Sequence, residues 1–129
     1  MESQYFDEKK IIRETLKLML ESCEFLIEWN KNINTWQDYP ISSSGMKTMA
    51  ASCMLLEAIG EEVKSIDKRD STFLETNAPT IPWREYVGIR NKIAHGYHNL
   101  DAELIFETVK NDIPELKKSL EKLLVIIDC

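Results

Sequence analysis

Apolar residues recur at steps of three, four and seven along almost the whole chain, and nowhere do they alternate. That spacing lines one side of an α-helix and excludes a half-buried sheet. Ile12, Leu16, Met19, Cys23, Leu26 and Ile33 mark a first helix over about residues 4–32. Ile11, Leu18, Phe25 and Ile27 widen its apolar surface, which predicts contact with more than one neighbour. "NINTWQDYPISSSG" interrupts the pattern with Asn, Pro, Ser and Gly. A second helix follows from near Ser44 to about Ile66, with Met46, Met49, Cys53, Leu56, Gly60 and Val63 as its stripe. Glycine costs about 1 kcal/mol inside a helix, so Gly60 predicts close packing or a site there.

"KRDSTFLETNAPTIP" is the longest polar connection, and Phe73 and Leu74 are expected to anchor a short turn within it. Pro82 suits the first position of a third helix, which carries "WREYVGIRNKIAH" and is expected to end near Gly96. Asp101 reads as the N-cap of the last helix, with Leu100 and Ile105 placed for a hydrophobic staple. Ile105, Val109, Ile113, Leu116, Leu120, Leu123 and Ile127 run down one face of that helix. Pro114 falls inside the run and predicts a kink or a split. The expected fold is all-α, a bundle of four to five helices forming a single domain over residues 1–129.

Composition narrows the function classes. A hydrophobic fraction of 43% with 29% charged residues is that of a globular protein. The polar start "MESQYFDEKK" has no signal-peptide core, and no apolar run nears the ~20 residues that span a bilayer, so a cytoplasmic location is expected. Cys23, Cys53 and Cys129 form no CxxC pair, and Cys23 and Cys53 sit at core positions. A net charge of −6 argues against a broad basic surface for nucleic acid. A local basic groove remains compatible, because charges are screened beyond ~8–10 Å.

The chemistry concentrates in "RNKIAHGYHNLD". It holds both histidines of the chain, His95 and His98, close to Arg90 and Tyr97. On a wheel of about 100° per residue, Arg90 falls inside the arc of Trp83, Val87, Tyr86, Ile89 and Ile93, which predicts a guanidinium facing protein. An unpaired buried charge is costly, so it needs compensation. One solution is an ion pair with Glu57 or Glu61 of the second helix; the other is an anion site, since the arginine fork matches phosphate. His95 supplies an acid or base near neutrality, its unperturbed pKa being ~6.5. Gly96 lets the backbone turn back toward the arginine. An Arg/His pair suffices for cleavage of a phosphodiester by an RNA 2′-hydroxyl, without a metal.

"RNKIAHGY" resembles the signature of HEPN-domain ribonucleases, and the tyrosine two places after the histidine resembles the HepT toxin subgroup. The similarity extends in order over "LLEAIGEEVKSID", "IPWREYVGIRNKIAHGY" and "DIPELKKSLEKLL", covering about residues 54–127; the first helix matches in character only. The resemblance implies a dimeric all-α bundle with two copies of the motif facing a shared cleft. It implies a metal-independent endoribonuclease toxin of a type VII-like toxin–antitoxin pair, needing no cofactor. Arg90 would then bind or stabilise the scissile phosphate, His95 would be the general acid or base, and Asn91 would orient the site. Tyr97 would be the residue to which a nucleotidyltransferase antitoxin transfers AMP. His98 stands where many relatives carry an aromatic residue and is expected to be exposed. The rival reading is a non-catalytic helical partner of a nucleotidyltransferase, which the acidic net charge favours. A metal-dependent hydrolase is poorly supported: no Asp or Glu completes a ligand pattern with His95 and His98.

Overall fold

A computed structural model of the chain describes residues 2–93 and 100–129, with side chains from residue 7 onward. Helix α1 (Glu2–Trp29) packs against α2 (Ser43–Arg69) on one side and α7 (Ile113–Ile127) on the other. The short helices α3 (Phe73–Asn77), α4 (Trp83–Val87), α5 (Ile89–Ile93) and α6 (Ala102–Glu107) all contact α2, α4 most extensively. The described secondary structure is helical, as expected, and among the described residues no helix is long and apolar enough to cross a membrane.

Helix α1 reaches both neighbours through a wide buried face of Ile12, Leu16, Met19, Cys23 and Leu26, widened by Thr15 and Ser22. Leu18, Phe25 and Ile27, expected to widen it, remain exposed. Thr15 fits the buried face because its hydroxyl donates to the Ile11 carbonyl at 2.8 Å, leaving no unpaired donor.

The C-terminal stripe is buried from Ile105 to Ile127 as its spacing predicts. The run is divided ahead of Pro114, as a proline inside it predicts. Thr108–Asp112 form a π-helical turn between α6 and α7, and Pro114 then lies in the first turn of α7, where a missing N–H is no loss. Val109 and Ile113 stay on the same buried side through the turn.

Gly60 is buried, and a methyl group on it would collide with the Tyr86 backbone carbonyl. Close packing is therefore what the glycine permits: α2 and α4 meet backbone to backbone.

A buried polar node ties the other end of the bundle together. The Asn30 amide donates to the Leu26 carbonyl at 2.8 Å and the Ser52 hydroxyl at 2.9 Å. Its oxygen accepts from the Tyr39 hydroxyl at 2.7 Å, and its backbone carbonyl accepts from Lys110 Nζ at 2.7 Å. Asn30, Tyr39 and Ser52 are all 0% exposed. Asn30→Ala strands the Tyr39 hydroxyl in the core and is expected to lower unfolding free energy by about 2–3 kcal/mol, measured by denaturant titration. A loss under about 0.5 kcal/mol, the ordinary surface value, would contradict this placement.

Glu62 is the complementary case. Its Oε2 is buried without a hydrogen-bond partner among the described residues, and burial pushes the carboxyl up to about 7. A carboxyl raised in the folded state is bound to its proton more tightly there than in the unfolded chain. Its stabilising contribution is therefore present below pH 4.5 and is lost as pH rises to about 7. Glu62→Gln is expected to gain about 1–2 kcal/mol over wild type at pH 8, after allowance for screening, and almost nothing near pH 4.5. A gain independent of pH, in paired melts at the two values, would contradict it.

Candidate active site

The site is built on α4 and α5. Trp83 anchors α4: it is 2% exposed and its indole N–H donates to the Ala78 carbonyl at 2.9 Å. Arg84 pairs with Asp67 of α2 and, at 3.5 Å, with Glu75 of α3. Tyr86 is buried, and burial, followed by the negative charges of Asp112, Cys23 and Glu85, raises its phenol. It stays neutral near physiological pH and serves as core.

The third helix was expected to be continuous, and it is not. Gly88, with φ −91° and ψ 3°, makes a turn between α4 and α5. Asn91 N–H donates to the Gly88 carbonyl at 3.2 Å, which starts the second short helix. The interruption corrects the expected burial of Arg90. A wheel assumes one unbroken phase; after Gly88, Ile89 and Ile93 occupy the inward face, and Arg90, Asn91 and Lys92 are exposed. The expected continuation of this helix toward Gly96 lies outside the described residues.

Nor is Arg90 in the ion pair considered with Glu57 or Glu61. Glu61 pairs with Lys64 at 3.2 Å, and Glu57 accepts a weak bond from Cys53 Sγ at 3.8 Å. The other arginines all meet carboxylates: Arg13 with Asp128 at 3.3 Å, Arg69 with Glu8 at 3.5 Å, and Arg84 as above. Among the described residues, Arg90 has no carboxylate within ion-pair distance. Its side chain is exposed to solvent.

His95, Gly96, Tyr97 and His98 lie outside the described residues. The structure thus places Arg90 and Asn91 side by side and fixes the residues at either end of the histidine-bearing segment. Ile93 is fully buried, and its carbonyl accepts from Asp101 N–H at 2.8 Å. Asp101 caps α6 as expected, its carboxylate accepting from Leu104 N–H at 3.0 Å. Leu100 is partly buried against the core and Ile105 fully buried, the placement expected of a staple. The sequence showed Asp101 as a cap; its backbone bond to Ile93 carries no sequence signal.

Charged groups of both signs meet beneath α5. A cavity of about 70 Å³ lies between it and the π turn, lined among others by Glu85, Tyr86, Lys92, Thr108 and Asp112. Burial, then the charges of Glu85 and Glu107, raises Asp112. A larger cavity, about 530 Å³, involves Glu8, Arg69 and Phe73 and none of the motif residues. Among the described residues no cluster of His, Cys, Asp or Glu is placed to hold a metal ion.

The chain is a member of the HepT-like ribonuclease family: the family model, described as "Ribonuclease HepT-like", matches residues 19–123. A protein of Caldanaerobacter subterraneus named as a candidate RNase is 36% identical, with 89% of this chain and 96% of that one covered. A candidate RNase of Methanocaldococcus jannaschii is 34% identical, with 93% of each chain covered. A protein of Thermococcus cleftensis named probable ribonuclease HepT is 35% identical, with 89% of this chain and 97% of that one covered. No solved structure matches the chain at a significant level.

Proposed function

We propose that this ribonuclease is a metal-independent endoribonuclease and the toxin of a type VII-like toxin–antitoxin pair. The observation that carries the reading is Arg90, exposed and unpaired among the described residues in a chain whose other arginines are paired. Arg90 binds a non-bridging oxygen of the scissile phosphate and offsets the charge that develops there. The RNA 2′-oxygen attacks phosphorus, the bond to the 5′-oxygen breaks, and a cyclic phosphate and a 5′-hydroxyl result. His95 takes the proton of the 2′-hydroxyl or supplies one to the leaving 5′-oxygen. Asn91 orients the phosphate beside Arg90.

Each chain has one His95, whereas the reaction needs a base and an acid. A homodimer whose two motifs share a cleft supplies both and doubles the local positive charge, which offsets the net charge of −6 per chain. Residues 1–129 act as a single domain in this reading, supported by the packing of α1 against α7.

Tyr97 is the proposed control point. A nucleotidyltransferase antitoxin transfers AMP to its oxygen from a nucleoside triphosphate, with pyrophosphate leaving. The added phosphate and base compete with RNA for the cleft and repel its backbone. Tyr97→Phe is expected to retain cleavage and to resist silencing when the antitoxin is co-expressed. Growth restored equally by the antitoxin for both proteins would remove Tyr97 as the sole acceptor. The second reading, a non-catalytic partner of a nucleotidyltransferase, rests on the acidic net charge. Folded protein that binds that enzyme and leaves RNA intact would establish it.

A further inference from the structure

Asp101 is held at three points. Its N–H donates to Ile93 C=O at 2.8 Å, and its C=O accepts from Ile105 N–H at 3.0 Å. Its carboxylate accepts from Leu104 N–H at 3.0 Å. Two of these partners, Ile93 and Ile105, are 0% exposed, so both belong to the packed core. The segment that carries His95 and Tyr97 leaves at Ile93 and returns at Asp101. Its two ends are therefore held one hydrogen bond apart, and the carboxylate fixes the backbone that makes that bond.

We propose that Asp101 is a positioning residue for the ribonuclease reaction: by capping α6 while clamping Ile93, it fixes the two ends of the segment that carries His95. The inference rests on the ribonuclease reading for its kinetic test. A misplacement near 1 Å at a reacting group is enough to slow a positioned proton transfer severely. A cap that only stabilised a helix would have no such effect, and α2 offers the matched control. Ser42 caps α2 through Gly45 N–H at 2.9 Å, at the end of α2 that packs on Tyr39.

The test compares Asp101→Ala, Asp101→Asn and Ser42→Ala, using an RNA oligonucleotide and the intact chain. Asp101→Ala is expected to lower kcat roughly tenfold with KM within about twofold, since orientation and not binding is lost. Asn retains the accepting oxygen, so Asp101→Asn should recover kcat to within about twofold. Ser42→Ala should lose a similar amount of thermal stability with kcat unchanged. Equal kcat in Asp101→Ala and Ser42→Ala would overturn the proposal, as would an equal loss in Asp101→Asn.

A second readout does not depend on cleavage. The His95 imidazole resonances should shift in Asp101→Ala and return in Asp101→Asn, even in a chain that cuts no RNA. Unmoved resonances would overturn the positioning role alone, whereas intact RNA with wild type overturns the ribonuclease mechanism. Should Asp101→Ala fail to fold, amide exchange on wild type decides. The Asp101 amide should exchange as slowly as that of Ile105, and exchange at the rate of a frayed end would overturn the clamp.

Discussion

His95→Ala is expected to reduce RNA cleavage by about 10²–10⁴-fold, the usual contribution of a positioned acid or base. The folded state should be untouched. The core beneath the motif is closed by Ile89, Ile93 and Ile105, at 6%, 0% and 0% exposure. Circular dichroism and thermal melts should therefore superimpose on wild type while the cleavage rate collapses. The pH profile carries further content. Proton transfer by His95 should leave an inflection in the wild-type profile, and that inflection should vanish in the variant. Retention of full cleavage would assign the proton transfers to another group.

Arg90→Ala is expected to lower cleavage by about 10²–10³-fold, comparable with removing one charge-stabilising donor from other sites. Its effect on stability should stay within about ±0.5 kcal/mol, because the side chain is exposed and has no ion pair among the described residues to lose. This contrast separates the two roles the sequence left open. An arginine buried in an ion pair with Glu57 or Glu61 would, on removal, strand a carboxylate and unfold the chain at lower temperature. Arg90→Lys should recover only part of the rate, since an ammonium keeps the charge and lacks the planar fork. A large fall in melting temperature for Arg90→Ala would contradict the anion-binding role.

Spacing read most of the core, although Met46, expected in the stripe of α2, is exposed. The seven apolar positions from Ile105 to Ile127 are all buried, even across a π turn that the spacing does not announce. Gly60 was legible as a close approach because a glycine inside an amphipathic stripe weakens its own helix unless a neighbour needs the space, and it lies against the Tyr86 carbonyl. Arg90 was not legible in the same way, because its angle on the wheel holds only if one helix runs through Gly88. A glycine marks where a phase can be reset without saying whether it is. The node of Asn30, Tyr39 and Ser52 left no trace in the pattern, since its members come from separate elements and share no period. The motif was legible as chemistry through residue type and order, and the family match extends that likeness back to residue 19, into α1. Its proton-transfer group, His95, lies outside the described residues, so the pairing with Arg90 is a matter for experiment.

The most direct measurement incubates purified wild type, Arg90→Ala and His95→Ala with a single-stranded RNA oligonucleotide in EDTA and analyses the ends of the products. Wild type alone should cleave, unaffected by the chelator, and should leave a 5′-hydroxyl and a cyclic phosphate. Intact RNA with folded wild type, cleavage abolished by EDTA, or undiminished cleavage by either variant would contradict an Arg90/His95 ribonuclease.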